Sequence, residues 1–199
     1  MLKAEMWDLR HAARRVLRLV FCLVLAVAVF PRSAEARQRR GGASGRTRPK
    51  PVQASDVVER FSGKVVRVSD GDTCDVETAS GKVVRIRIYG IDAPELSQEF
   101  GKESRKYLDA RIFRHEVLVE KFYDDQYGRC VGRILLEAQD LALELLREGT
   151  VWHYIQYSTE EEYAQAENEA RRARKGLWKA DAPVAPWEYR KAHPRRSAK

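Results

Sequence analysis

The sequence predicts an α+β domain, mainly β: a small closed barrel of five short strands with about three helices inserted and appended. Three observations predict it. Five segments of five to eight residues carry strand patterning and are punctuated by Gly, Asp and Ser turns. One helical stretch interrupts this series and two follow it, which suits a barrel and not an alternating parallel sheet. The 199 residues are 44% hydrophobic and 33% charged, an ordinary globular balance with room for one domain and tails.

The first strand is expected at 64–68 (KVVRV), broken by Asp70-Gly71-Asp72. The second covers 73–78 and ends at Ala79-Ser80-Gly81; the third covers 82–89. In the third, Val84, Ile86 and Ile88 alternate with Arg85, Arg87 and Tyr89, so burying the isoleucines turns Arg87 outward toward a cleft. Helical character at 97–114 precedes a fourth strand at 117–122 and, after YDDQYGR, a fifth at 130–136. Residues 140–148 place Leu141, Leu145 and Leu146 on one stripe closed by Gly149. Ser158 opens the last expected helix with Glu161 three residues on, a capping-box pattern, and Gly176 closes it after Arg174 and Lys175.

The ends differ from this domain. Residues 1–36 carry a basic start, a twelve-residue apolar run from Leu19 to Phe30, and Ala34-Glu35-Ala36. A run that short is well under the roughly 20 residues of a membrane-spanning helix. The pattern is that of a signal peptide cut near Ala36, which implies a secreted, periplasmic or envelope location. Phe21 before Cys22 is too bulky for a lipoprotein-type cysteine. Residues 37–56 form a basic arm with six Lys+Arg and no acid before Asp56, and 190–199 form a basic tail with five and none. The total net charge is +8, yet 57–189 hold 20 basic and 25 acidic residues, a domain charge of −5. The tails therefore supply the positive charge, which either steers the chain toward polyanions or, equally, serves solubility or attraction to anionic envelope surfaces. The composition excludes collagen-like, mucin-like and multi-pass membrane classes, and three cysteines exclude a disulfide scaffold or a four-thiolate zinc site.

The chemistry concentrates in three segments: Asp70-Gly71-Asp72-Thr73, the stretch from Arg87 to Glu95 (RIYGIDAPE), and Asp125-Gln126-Tyr127-Gly128-Arg129. Carboxylates at strand ends can converge on a hard cation that takes oxygen ligands. Two arginines can clamp a phosphate through paired, charge-assisted hydrogen bonds. A further carboxylate can orient or deprotonate water. No phosphate-binding Gly-rich loop with Lys-Ser/Thr and no G-x-S-x-G is present, which disfavours nucleotide hydrolysis by that route and serine hydrolysis. His115 and His153 stand without metal spacing and read as structural or surface residues.

Asp72-Thr73, the segment ending in D-A-P-E, Y-G-R at 127–129 and G-L-W at 176–178 occur here in one order. Together they resemble the staphylococcal nuclease (thermonuclease) family, from about Phe61 to Tyr189. The resemblance implies an OB-fold barrel with three helices and Ca²⁺-dependent hydrolysis of DNA and RNA to 3′-phosphate ends. A monomer is the expectation for a chain of this size, and cutting the leader is expected to leave no stable membrane insertion. Residue by residue, Asp72 and Asp92 match the family's calcium carboxylates, and Ala93 sits where a backbone carbonyl meets the metal, with the common Thr hydroxyl lost. Glu95 matches the carboxylate that activates or orients the attacking water. Arg87 and Arg129 match the phosphate clamp, and Asp70 stands where a carboxylate orients metal-bound water. Tyr127 and Tyr157 fall where aromatic groups contact the nucleotide; packing in the core is the equal alternative. The loop after Glu95 looks shorter than in the family's best-known member. A non-catalytic nucleic-acid-binding module on the same barrel is the alternative function, although such modules normally lose one of these charged residues. An envelope interaction protein acting through its basic tails is a third. Cys74 and Cys130, beside two of the site segments, either pair after export or remain two buried thiols.

Overall fold

The computed structural model describes residues 54–194. The expected leader at 1–36, the arm up to residue 53 and the last five residues of the basic tail lie outside the described residues. In chain order come a 3₁₀ turn at Ala54–Asp56, β1 (Glu59–Val68), β2 (Thr73–Thr78), β3 (Val83–Ile88), the two-residue β4 (Ile91–Asp92) and helix α1 (Gly101–Ile112). They are followed by β5 (Glu116–Asp124), β6 (Cys130–Leu136), β7 (Gln139–Asp140), α2 (Leu141–Arg147) and β8 (Trp152–His153). The chain ends with α3 (Glu161–Arg172), a 3₁₀ turn at Gly176–Lys179 and α4 (Pro186–Ala192).

β1 is long enough to serve two neighbours. Its first half, Glu59 to Lys64, pairs antiparallel with β5, and its second half, Gly63 to Val68, with β2. The register with β2 shifts between Val65 and Arg67, a bulge that bends the strand. β2 pairs antiparallel with β3, and β5 with β6. The ring closes where β3 and β6 run parallel, Ile86 beside Cys130 and Ile88 beside Gly132. The result is a closed five-stranded mixed barrel of OB-fold type, as the sequence predicts, with four α-helices among the described residues where about three were expected.

Period-two alternation fills this barrel. Val65, Val76, Ile86, Ile88, Val119 and Ile134 are buried, and Leu108 and Ile112 of α1 with Leu141, Leu145 and Leu146 of α2 cap it. Cys74 and Cys130 belong to the same core, and the bridge entertained for them does not form. Cys74 is the register partner of Ile86, and Ile86 that of Cys130. Two strand spacings, roughly 9–10 Å, separate the pair, whereas a disulfide needs Cα atoms within about 7 Å. Burial raises both thiol pKa values, that of Cys130 to about 11, so both stay protonated and inert.

The expected capping box at Ser158 is also corrected. α3 starts after Glu160 with no side-chain cap. The Ser158 hydroxyl is buried against His153 Nε2 at 3.2 Å and accepts the Glu160 N–H at 3.2 Å, so it serves the turn before the helix. A second cluster of Trp152, Ala170, Leu177, Trp178 and Ala185, with Phe100 and Trp187 against it, anchors the chain leading into α4. Among the described residues no helix is long and apolar enough to cross a membrane.

Candidate active site

The β1–β2 turn presents the first carboxylates. Asp70 Oδ1 accepts the Asp72 N–H at 3.1 Å, an Asx turn that fixes the start of β2. The Asp72 carbonyl accepts from Ile88 N–H at 2.9 Å, tying this turn to the end of β3. A Cβ at Gly71 would collide with the Ser104 hydroxyl of α1, so only glycine lets the turn settle on that helix. Asp72 is buried; Thr73 Oγ1 donates to its Oδ1 at 2.9 Å, and the Ala93 N–H donates to its Oδ2 at 2.7 Å. Asp92 is buried in β4, paired with Trp152 of β8.

Arg87 leaves β3 on the outer face, as strand parity requires, and its side chain is only 13% exposed. Its Nη2 lies 3.1 Å from both Asp72 Oδ2 and Asp92 Oδ1, and its Nη1 donates to the Ile88 carbonyl at 2.9 Å. From the C-terminal helix, Arg190 closes the group: Nη2 meets Asp92 Oδ2 at 2.7 Å, while Nη1 reaches Asp92 Oδ1 at 3.2 Å and Glu95 Oε1 at 3.1 Å. Four residues singled out in the sequence, Asp72, Arg87, Asp92 and Ala93, thus meet directly; Asp70 adjoins them through the turn, and Glu95 through Arg190.

Arg129 and Tyr127 stand apart from this cluster. Arg129 is held by Asp125, with Nε 2.7 Å from Oδ2, and its guanidinium carbon sits 5.4 Å from the centre of the Tyr127 ring. The two residues line an open cleft with Asp75, Val83 and Arg85. Tyr127 is 74% exposed and Tyr157 is 52% exposed, so neither is a core residue. Tyr157 is placed by its carbonyl, which accepts from Tyr89 O–H at 3.0 Å. His153 is buried on Ser158, and His115 is exposed.

The electrostatics follow from burial. Desolvation, then the charge of Asp72, pushes the Asp70 carboxyl up to about 7. Desolvation also holds Asp92 above the usual carboxylate range, with Asp72 adding to it and Arg190 and Arg87 opposing it. Burial by itself would weaken the Arg190 charge, but hydrogen bonds and attraction from Asp92 and Glu95 more than offset that. At Asp125 burial acts upward, and the N–H groups of Arg129 and Tyr127 with the Arg129 guanidinium outweigh it, holding the carboxyl below its ordinary value.

Crowded, desolvated carboxylates favour added positive charge, and the donors are the hard oxygens that Ca²⁺ and Mg²⁺ take. Asp72, Asp92 and the adjoining backbone of Ala93 fit such an ion in kind. Among the described residues no three His, Cys, Asp or Glu side chains form a ready-made cage, because guanidinium groups stand against these carboxylates instead.

Sequence reasoning missed Arg190, read as the first residue of a basic tail. The available signal was Ala185-Pro186-Trp187-Glu188-Tyr189, with proline at a first helical position and an aromatic one turn before Arg190. Gln98 and Tyr189 were missed too. They fasten the segment after Glu95 to the C-terminal chain through Gln98 Nε2 to the Val184 carbonyl at 2.6 Å and Tyr189 O–H to the Ser97 carbonyl at 3.1 Å.

The fold and site define a class: an OB-fold barrel that gathers carboxylate and guanidinium groups at the ends of β2, β3 and β4. The family model described as staphylococcal nuclease homologue matches residues 85–180. An "uncharacterized endonuclease" of Escherichia coli is 38% identical over 141 residues, covering 70% of this chain and 89% of that protein. A "micrococcal nuclease" of Shigella flexneri is 37% identical over 143 residues, covering 66% and 82%. A "probable staphylococcal-like nuclease CAN1" of Oryza sativa subsp. japonica is 34% identical over 160 residues, and the match spans 78% of this chain and 47% of that longer protein. The chain belongs to the staphylococcal nuclease family.

Proposed function

We propose that this chain is an exported nuclease that hydrolyses phosphodiester bonds of DNA and RNA with Ca²⁺ as its cofactor, leaving 3′-phosphate ends. The observation that carries this reading is the meeting of Asp72, Asp92 and Arg87, with Glu95 one guanidinium away. The names of the relatives and the family resemblance support the reaction class, and the acidic oxygen donors support the choice of ion.

The divalent ion, when bound, supplies positive charge that offsets the negative charge developing on the phosphate. The chain supplies the rest. Asp72 and Asp92, with the Ala93 carbonyl, hold the ion, and Asp70 orients from the neighbouring turn. Arg87 and Arg129 bind phosphate oxygens and stabilise the charge that grows on them as water attacks. Glu95 orients that water and takes its proton; a P–O bond forms to the water oxygen as the bond to the 5′ oxygen breaks, and the released 5′ oxygen takes a proton from solvent water to become the 5′-hydroxyl. Tyr127 and Tyr157 offer exposed faces on which bases stack. The apolar run before Ala36 supports export.

Incubating the full chain with plasmid DNA and single-stranded RNA, in Ca²⁺, in Mg²⁺ and in chelator, tests this. Ca²⁺-dependent cutting of both substrates, faster under alkaline conditions, is the expected result. Retention of nucleic acid on a gel without cutting in Ca²⁺ would instead establish the binding-module alternative.

A further inference from the structure

Resting on the reading of Asp72 and Asp92 as the cation site, we propose that Arg190 competes with the divalent ion for Asp92 and Glu95, making α4 a C-terminal latch on the site. The guanidinium takes both oxygens of Asp92, at 2.7 and 3.2 Å, and extends to Glu95 at 3.1 Å. A full positive charge that close to the ligand oxygens opposes a dication through Coulomb repulsion if it stays, and costs its hydrogen bonds if it leaves. Either way Arg190 weakens cation binding. Reciprocity of linkage then requires the cation to weaken the seat of Arg190 by the same factor.

The two arginines of the cluster differ in a way that picks out Arg190 as the group that yields. Arg87 is rooted in the middle of the barrel on β3, is 13% exposed and is bound to the Ile88 carbonyl. Arg190 is 38% exposed and sits on a seven-residue helix whose one fully buried residue is Pro186. Beyond Arg190, that helix is held mainly by Trp187, stacked on Tyr154 at 5.4 Å, and by Tyr189 on Ser97. A short element with so little buried surface opens at low cost. It is placed where its release removes one guanidinium from Asp92 and from Glu95 together.

The test is calorimetric titration of the full chain with Ca²⁺, unaltered and as Arg190→Gln and Arg190→Lys, alongside hydrogen exchange of residues 186–192. Arg190→Gln is expected to tighten Ca²⁺ binding by about tenfold, from loss of one charge near the ion. Arg190→Lys, which keeps a charge but not the fork, falls between. In the unaltered chain, saturating Ca²⁺ lowers protection of the α4 amides. Ca²⁺ binding that is unchanged or weaker in Arg190→Gln, or α4 protection that holds or rises with Ca²⁺, overturns the latch and leaves the cation site standing. Failure of the unaltered chain to bind Ca²⁺ overturns both. Should Arg190→Gln not fold, exchange in the unaltered chain decides by itself.

Discussion

Arg87 is wedged between two buried carboxylates, whereas Arg129 leans on Asp125 and the exposed Tyr127 ring in a surface turn. The same proposed task therefore carries different structural consequences. Arg129→Ala is expected to cut turnover roughly 10²–10³-fold, while unfolding in urea shifts by no more than about 1 kcal/mol, the scale of a part-exposed ion pair. Arg87→Ala is expected to lose as much turnover and also about 3–5 kcal/mol of metal-free stability, since Asp72 and Asp92 are left buried without it. Equal stability of the two variants would contradict this account of Arg87.

His153 yields a pH prediction of its own. Burial lowers its pKa, with the Ser158 backbone opposing. A base with a depressed folded-state pKa stabilises the fold fully above its ordinary value of about 6.5. That stability is lost as pH falls from there through the folded-state value. Asp70, raised to about 7, acts with the opposite sign over the same window, so the difference between two chains isolates His153: relative to the unaltered chain, His153→Gln is expected to gain metal-free urea stability as pH falls from about 7.5 to 5. A constant difference between the two chains over that window would exclude this role for His153.

Among elements, β2 and β6 were legible to the residue. In β2, Cys74 and Val76 alternate with Thr73, Asp75 and Glu77; β6 is a short, mostly apolar run; and each begins just after a glycine-containing turn. The first half of β1 was not, because Glu59, Arg60 and Ser62 are exposed and Phe61 is the one large apolar side chain from Glu59 to Gly63, too few for a period to show. β4, β7 and β8 have two residues each, too few for any periodicity, yet β4 carries Asp92. α4 was hidden for a related reason: a helix with one buried residue has no apolar stripe. At Gly132 the close passage of β6 along β5 sets a specific demand, since a Cβ there would strike the Glu120 carbonyl oxygen. Gly132→Ala is expected to cost about 1–3 kcal/mol by urea unfolding, through overpacking at the strand pair. A neutral result would mean that the barrel wall yields there.

For the whole molecule, the barrel, its core and the neighbourhood of Asp72, Arg87 and Asp92 could be read from the sequence. Strand parity fixes which side chains leave the core, and three turn-rich segments carry the charge. What could not be read is contact across long separations. Arg190 lies 98 residues from Asp92, and no local pattern announces that pairing. Charge counting placed Arg190 in a polyanion-seeking tail, and the structure places it on the most buried carboxylate of the site.

The central claim is that the carboxylates of the β1–β2 turn and β4 hold one divalent ion. Calorimetric titration of the full chain and of Asp92→Asn with Ca²⁺ tests it most directly. One ion per chain is predicted for the unaltered protein, with binding lost or weakened at least about tenfold when the charge of this ligand is removed. No binding by the unaltered chain, or equal binding by Asp92→Asn, would contradict it.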